Sequence, residues 1–341
     1  MARRLINTVR ARLAGGGRLA RAVQRFWTFP RDGTGRGDYP PLVSSAEIEA
    51  LLRRLQGLGR EPGAPWLVHT RQVGEADSAF VGSGLDFEEL RPYAAGDDLR
   101  DVDWRALARS GRAFVKRYRE ERQAVLHVVL DRRANMRFGT HCRLKVAQGA
   151  RAGAVFALAA MLRGAAVGLT SLGPDGRHVR AQSGRGAIMG VLRDLAAPCP
   201  PLVARSDASH DLFARQLAEV ESLVPAGGRV LLLSDFRGLR EDDLGVLARL
   251  AARCPVTALH IEDESERHLP ALGWADFAAP GGREVRTVDA GSAALRDEFA
   301  AAAHQRRQTL RERLEPLGIA FHSCTTCDDV FVQLGASALH G

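Results

Sequence analysis

The sequence lacks any apolar run long enough to cross a membrane. Its longest uninterrupted run extends from Ala152 to Leu162, whereas a membrane-spanning helix needs roughly 20 apolar residues. No apolar block follows the arginines at the N-terminus, so we expect no secretory signal. These absences predict a cytoplasmic protein without a transmembrane segment.

Lysine is almost absent, and the excess of positive charge is confined to one end of the chain. Only Lys116 and Lys145 are lysines among 48 basic residues, a bias that we attribute first to codon usage. Residues 1–40 carry nine Arg and two Asp, whereas the remaining residues hold 39 Lys and Arg against 38 Asp and Glu. A nearly neutral body argues against nucleic-acid binding, which needs a dense basic face.

Residues 1–41 form a basic arm and a linker. Arginines are mixed with apolar residues in a loose helical pattern as far as Phe29, and residues 31–41 are rich in Gly and Pro, which is typical of a linker. A basic amphipathic arm can lie on an anionic membrane surface, but a solvated tail explains the same pattern. We favour the tail and keep peripheral membrane contact as an alternative.

The cysteines do not have the spacing of a disulfide scaffold. They are Cys142, Cys199, Cys254, Cys324 and Cys327. An odd, scattered set is typical of a reducing compartment. The last two form a lone C-x-x-C, but a zinc site would need two further ligands, so we interpret this pair as incidental.

Common enzyme motifs are also missing. The sequence has no phosphate-binding loop, no complete dinucleotide fingerprint and no recognisable nucleophile motif. We therefore expect no cofactor and no enzymatic activity.

What the sequence does have is an alternation of strands and helices after residue 123. Predicted strands lie at 125–130, 167–172, 230–234, 256–261, 284–288 and 319–323, and predicted helices at 144–163, 187–196, 210–223, 241–253 and 293–314. Mostly apolar strands between amphipathic helices predict an α/β fold with a doubly wound, mostly parallel sheet over residues 123–337. Ligands of such sheets bind at the carboxyl ends of the strands, where Asp131 and Asp235 lie.

The preceding residues, 42–122, are predicted to hold a helix and a small β-rich subdomain. The helix begins near Ser44 or Ser45 and ends near Gly57, because apolar residues recur at helical spacing between these points. Strands are favoured at 66–73 and 113–119.

The most specific stretch lies between these two strands. Residues 87–104 read FEELRPYAAGDDLRDVDW and are followed by Ala108-Arg109, Lys116 and Glu121-Arg122. This pattern resembles the family of domain-of-unknown-function 58, and the similarity extends more loosely over residues 66–335. The resemblance implies a domain of the von Willebrand factor A type and a frequent partnership with MoxR-type AAA+ ATPases in bacteria.

The charged residues of this stretch form a candidate network. It comprises Arg91, Tyr93, Asp97, Asp98, Arg100, Asp103, Trp104 and Arg109. Each arginine can bind a carboxylate through two hydrogen bonds, and we expect the two aromatic rings to seal the network. A binding surface would show the same pattern, but structural ion-pair networks often look like sites, so we favour the structural role.

The resemblance also implies a metal-binding loop, from which this sequence departs. Domains of the von Willebrand A type carry Asp-x-Ser-x-Ser after the first strand, and its oxygens suit magnesium. The loop here is Asp131-Arg132-Arg133-Ala134-Asn135, no Thr stands near Ser209 and His210, and Asp235 takes the place of the last carboxylate. We therefore expect no metal, with Arg133 replacing the cation by pairing with Asp131 or Asp235.

Together these features predict a non-enzymatic protein-binding adaptor whose partner, by resemblance, is a MoxR-type AAA+ ATPase. The predicted partner-binding residues are Asp131, Arg133, Asn135, Ser209, His210 and Asp235. Replacing Asp235 by Ala is expected to weaken partner binding with or without a chelator. The alternatives are an enzyme with an unrecognised site at the same strand ends, and membrane-surface binding through the basic arm.

Overall fold

A computed structural model describes residues 39–58, 85–94, 102, 104–120, 124–173, 176–199, 209–278 and 285–331. The chain divides into a smaller unit, residues 72–124, and a larger unit that contains the rest. The predicted strand at 66–73 and the basic arm lie outside the described residues.

The smaller unit is built on an antiparallel hairpin. Strand β1 (Leu85–Pro92) pairs with β2 (Phe114–Glu120), and the pairing register shifts between Phe87 and Glu89. A short helix, Trp104–Ser110, lies in the connection between the two strands. Among the described residues of this unit, Val102, Ala106 and Val115 are buried apolar side chains.

The larger unit begins with helix α1 (Ser45–Leu58), whose bounds agree with the sequence prediction. Leu51 and Leu55 on this helix are buried in the core that covers one face of the main sheet. We predicted from the sequence that this helix belongs with the residues that follow it. Its buried leucines instead pack in the core of the α/β unit.

The centre of the larger unit is a six-stranded sheet. Its strands are β3 (Val125–Asp131), β4 (Ala166–Leu172), β5 (Arg177–Gln182), β6 (Arg229–Ser234), β7 (Val256–Glu262) and β10 (Ile319–Thr325). Their spatial order is β10-β7-β6-β3-β4-β5, and only the edge strand β5 runs antiparallel. This topology confirms the predicted fold class.

Helices cover both faces of this sheet. They are α2 (Lys145–Leu162), α3 (Arg185–Ala196), α4 (Ser209–Leu223), α5 (Glu241–Arg253), α6 (Glu264–Arg267) and α7 (Ala293–Leu314), with short 3-10 turns at Ala134–Met136 and Glu315–Leu317. One apolar cluster contains side chains of α1, α2 and α3, and a second contains side chains of α4 and α5. Strands buried on both faces explain why their sequences are almost continuously apolar.

Helix α2 lies very close to the sheet because it carries glycine where other residues would collide. A Cβ atom added at Gly149 would stand 2.8 Å from Leu130 Cδ1 of β3, and one at Gly153 would stand 3.2 Å from Leu233 Cδ1 of β6. This close approach brings the first turn of α2, with Lys145, to the edge of the sheet where β3 ends.

The predicted strand at 284–288 was assigned to the wrong sheet. The residues form β9 (Val285–Asp289), which pairs with β8 (Trp274–Ala278) in a separate two-stranded ribbon. Among the described residues, no helix has both the length and the apolar content needed to cross a membrane.

Candidate functional site

The candidate site lies where β3 and β6 end, side by side. Asp131 is the last residue of β3, and Asp235 directly follows β6. The two strands are adjacent and parallel, so their carboxyl ends meet at one edge of the sheet. Both acids are buried, with exposures of 0% for Asp131 and 4% for Asp235.

Asp131 is neutralised by Arg133, two residues further along the chain. The guanidinium donates from Nη2 to Oδ2 at 2.7 Å and from Nε to Oδ1 at 3.0 Å. Two more donors complete the carboxylate shell: the Arg133 backbone N–H at 2.9 Å from Oδ1 and the Ser234 hydroxyl at 2.6 Å from Oδ2. The guanidinium also stacks on Phe213, 4.2 Å from the ring centroid.

Arg133 is itself almost completely buried. Burial alone would lower the pKa of the guanidinium, but the adjoining Asp131 carboxylate outweighs it and holds the Arg133 pKa above its ordinary value. The guanidinium therefore remains charged, as a buried cation paired with an anion does.

Asp235 is neutralised by a different cation, Lys145. The Lys145 ammonium is completely buried and donates to Asp235 Oδ2 at 2.7 Å and to Glu266 Oε1 at 3.0 Å. Arg237 donates to the same Glu266 oxygen at 2.7 Å, and its Nε lies 3.7 Å from Asp235 Oδ2. Three acids, Asp131, Asp235 and Glu266, thus face three basic side chains. We call these six residues the charged cluster.

The pKa directions agree with this pairing. Burial would raise the pKa of Asp235, but Lys145 and then Arg237 hold it well below its usual range. Burial would lower the pKa of Lys145, and the two carboxylates raise it instead. Both members of the pair are therefore charged at neutral pH, and removal of either would leave a buried charge without a partner.

The residues at these strand ends do not fit the magnesium ion that the family resemblance implies. Each of the two carboxylates already binds a basic side chain, and the hydroxyl of Ser234 is committed to Asp131. Magnesium binds proteins through one or two free carboxylates and keeps several waters, and neither carboxylate is free here. Within the described ranges, no group of three or more His, Cys, Asp or Glu side chains is arranged to hold a metal.

Comparison with known proteins identifies the family. The model of the family described as "Protein of unknown function DUF58" matches residues 89–309. The chain belongs to the DUF58 family. The resemblance seen in the charged stretch is thereby confirmed.

One relative and two solved structures show how far the similarity extends. The uncharacterized protein Mb1516 of Mycobacterium bovis is 29% identical over 296 residues, which cover 86% of this chain and 88% of that protein. The conserved hypothetical protein BatB from Bacteroides thetaiotaomicron is 13% identical, with a TM-score of 0.40 over 63% of this chain and 95% of BatB. A von Willebrand factor type A protein from Catenulispora acidiphila is 11% identical, with a TM-score of 0.36 over 64% of this chain and 42% of that protein.

In the structure of this DUF58 member, only some of the predicted site residues lie in the charged cluster. Asp131, Arg133 and Asp235 are buried inside the charged cluster. Arg133 forms its ion pair with Asp131, one of the two acids that the sequence offered as its partner. Asn135 lies half-buried in the 3-10 turn Ala134–Met136. Residues 209 and 210 begin helix α4, but their side chains lie outside the described part of the structure.

Sequence reasoning missed half of the charged cluster. It did not include Lys145, Arg237 or Glu266, each of which comes from a different part of the chain. One signal for Lys145 was available, because a chain that uses arginine for 46 of its 48 basic residues keeps a lysine at this position. No comparable signal marked the other two.

The backbone that follows Asp235 is strained. Phe236 has a φ of 49°, a left-handed conformation that is uncommon for an aromatic residue. Its N–H donates to the Ser234 hydroxyl at 2.9 Å, and the Arg237 N–H donates to Asp235 Oδ1 at 3.1 Å. These bonds hold the turn and aim the Asp235 carboxylate at Lys145.

The charged stretch characteristic of the family is only partly described. Tyr93 and Trp104 are exposed, at 38% and 62%, so they do not seal a network as expected. Arg109 is exposed and donates to the carbonyl of Arg105. Asp97, Asp98, Arg100, Asp103 and the side chain of Arg91 lie outside the described residues, so the network itself stays a prediction.

The prediction of unpaired cysteines is wrong for two of the five. Cys142 and Cys327 form a disulfide across 185 residues of sequence, whereas Cys199, Cys254 and Cys324 are buried free thiols. Sequence spacing did not reveal this pair, because the fold brings together the loop before α2 and the loop after β10. Cys324 and Cys327 are not bonded to each other.

Proposed function

We propose that the α/β unit is a non-enzymatic, metal-independent protein-binding adaptor that acts in the cytoplasm with a MoxR-type AAA+ ATPase. One observation carries this proposal: both strand-end carboxylates are neutralised by the protein's own buried cations. Lys145 holds Asp235 ionised, so Asp235 is a poor proton donor, and the oxygens of both carboxylates are already bound. The identity of the partner rests on the family resemblance.

The charged cluster is buried and supports the proposed binding surface. Its acids are buried, so the groups available to a partner at this edge are those around them. Asn135 follows Arg133 on the same loop, and Phe213 near the start of α4 stacks on Arg133. Asn135 and the first turn of α4, with Ser209 and His210, therefore form the proposed contact surface.

Asn135→Arg tests this surface more cleanly than a change at Asp235, which would strand the buried ammonium of Lys145. The added bulk and charge should abolish recovery of the ATPase in an affinity pull-down from the native host. Gln182→Arg is the matched control, because Gln182 is exposed and pairs with Val167 near the opposite end of the sheet. That control should bind as well as the wild type.

The pull-down is made with magnesium and again with a chelator. The purified ATPase, held in one nucleotide state, is used as a control. This control separates the magnesium requirement of the ATPase from that of the adaptor. Recovery of the ATPase by the wild type and by Gln182→Arg, but not by Asn135→Arg, supports the proposal. Equal recovery by Asn135→Arg rejects the surface, and no AAA+ ATPase in any sample rejects the partner.

A further inference from the structure

The disulfide between Cys142 and Cys327 is accessible from solvent. Both residues are exposed, and their Cα atoms lie 5.3 Å apart. Cys142 precedes helix α2 by three residues, and Cys327 follows strand β10 by two. A reductant can therefore reach the bond without unfolding the protein, in contrast to a disulfide inside the core.

We propose that Cys142–Cys327 is a site of reversible thiol–disulfide exchange whose co-reactant is a dithiol. The attacking thiolate of the dithiol forms a mixed disulfide with one of the two sulfurs, and its second thiol then releases that sulfur. Overall, two electrons and two protons pass to the cysteines, which become thiols, and the dithiol becomes a disulfide. This inference does not depend on the proposed ATPase partner.

The neighbouring Cys324 does not compete for this exchange. Its side chain is buried, and burial raises the pKa of the Cys324 thiol to about 12. A thiol with that pKa is protonated at neutral pH and is a poor nucleophile, because the thiolate is the reactive form. Exchange is therefore confined to two defined states, bonded and reduced, although the sequence shows a C-x-x-C.

Hydrogen bonds hold the same two loops together when the disulfide is reduced. Asp263, at the end of β7, accepts from the Thr140 backbone N–H at 2.9 Å, from the Thr140 hydroxyl, and from the Thr326 hydroxyl at 3.0 Å. Gln148 Nε2 donates to the carbonyl of Asp328 at 2.8 Å. Reduction should thus release the crosslink and leave the fold intact.

The crosslink restrains a segment that supports the charged cluster. Residues 137–144 connect the 3-10 turn at Ala134–Met136 to Lys145, the first residue of α2. Cys142 ties this segment to the far edge of the sheet, since β10 is the strand at that edge. The redox state of the bond should therefore set how readily residues 137–144 open.

Three measurements test the proposal on the full chain. Thiols are counted under denaturing conditions after equilibration with oxidised or reduced dithiothreitol, amide hydrogen exchange is followed in residues 137–144 and 326–331, and the melting temperature is recorded in both states. We expect three thiols in the oxidised protein and five in the reduced protein, out of five cysteines. Closing a long loop stabilises a fold, so reduction should lower the melting temperature by several degrees and speed exchange in both segments.

Two variants make the result specific. The double variant Cys142→Ser, Cys327→Ser should behave as the reduced wild type and not respond to the dithiol, whereas Cys324→Ser should respond as the wild type does. Five thiols after oxidation would overturn the proposal. A bond that resists reduction until the protein unfolds would also overturn it. So would amide hydrogen exchange in residues 137–144 that is unchanged by reduction of the disulfide.

Discussion

At the residue scale, Lys145 is the most informative side chain of the molecule. A lysine that is completely buried is rare unless it is paired, and this one bridges two carboxylates from different elements. Arginine would place a larger, planar group in the same space. We infer that the compact ammonium is required here, which explains why a chain written almost entirely with arginine keeps this lysine.

Lys145→Met tests the pairing directly. The variant removes the cation closest to the buried Asp235, so we expect a loss of about 3–5 kcal/mol in the free energy of unfolding. The measurement is urea denaturation followed by circular dichroism.

Arg177→Met is the matched control for that variant. It removes an ion pair of similar length with Asp194, but the Arg177 side chain is 69% exposed. An exposed pair contributes less than about 1 kcal/mol. Equal losses in the two variants would show that Lys145 does not neutralise a buried charge.

At the scale of elements, the regular helices were predictable and the edges of the sheet were not. The predicted bounds 241–253 and 293–314 are those of α5 and α7. In α5 the buried Val246, Leu247 and Leu250 have the spacing of an amphipathic helix that covers a sheet. Strand β5 was missed because it is half-exposed and carries two arginines and a histidine. The ribbon of β8 and β9 was missed because the local sequence does not determine which strands share a sheet.

Strand β3 also carries a histidine that should make stability depend on pH. His127 is fully buried and shares a hydrogen bond of 2.8 Å with the Thr170 hydroxyl of β4. Burial, and then the nearby His178, lower the pKa of His127 from 6.5 to about 4. The folded protein therefore holds this ring neutral, whereas the unfolded chain protonates it below pH 6.5.

The sign of the effect follows from that difference. The stabilising contribution is complete above pH 6.5 and is lost as the pH falls from 6.5 towards 4, at up to about 1.4 kcal/mol per pH unit. His127→Gln should show a shallower loss of unfolding free energy between pH 7 and pH 5 in urea titrations. His304→Gln, at an exposed position, controls for the loss of an imidazole. Parallel curves for wild type and His127→Gln would contradict the assignment.

Asp235, the acid of the charged cluster that pairs with Lys145, does not interfere in this window. The pKa of Asp235 is held below its ordinary value, so its contribution is present above the unfolded pKa of about 3.9 and is lost only at lower pH. His260 is buried and His322 is half-buried, and both have lowered pKa values. Both are kept in the variant, so the difference between the two curves belongs to His127.

At the scale of the whole molecule, the doubly wound sheet and the position of Asp131 and Asp235 at the carboxyl ends of its strands followed from the sequence. The alternation of apolar strands and helices defines a doubly wound sheet, and such a sheet brings the ends of neighbouring strands together. Arg133 was predicted as the partner of one of the two acids, but Lys145 and Glu266 were not, because they reach the site from helices far away in sequence. The disulfide was hidden for the same reason, since only the folded chain brings Cys142 to Cys327.

Arg133 and Lys145 bind the two strand-end acids at the place where the resemblance to domains of the von Willebrand A type implies a metal. The most direct test is the melting temperature of the purified protein in millimolar magnesium and in chelator, measured at equal ionic strength. Because Arg133 and Lys145 already bind the two acids, we predict the same melting temperature in both. A higher melting temperature in magnesium that disappears in the variant Asp131→Asn would contradict the claim, since binding to the folded state alone raises stability.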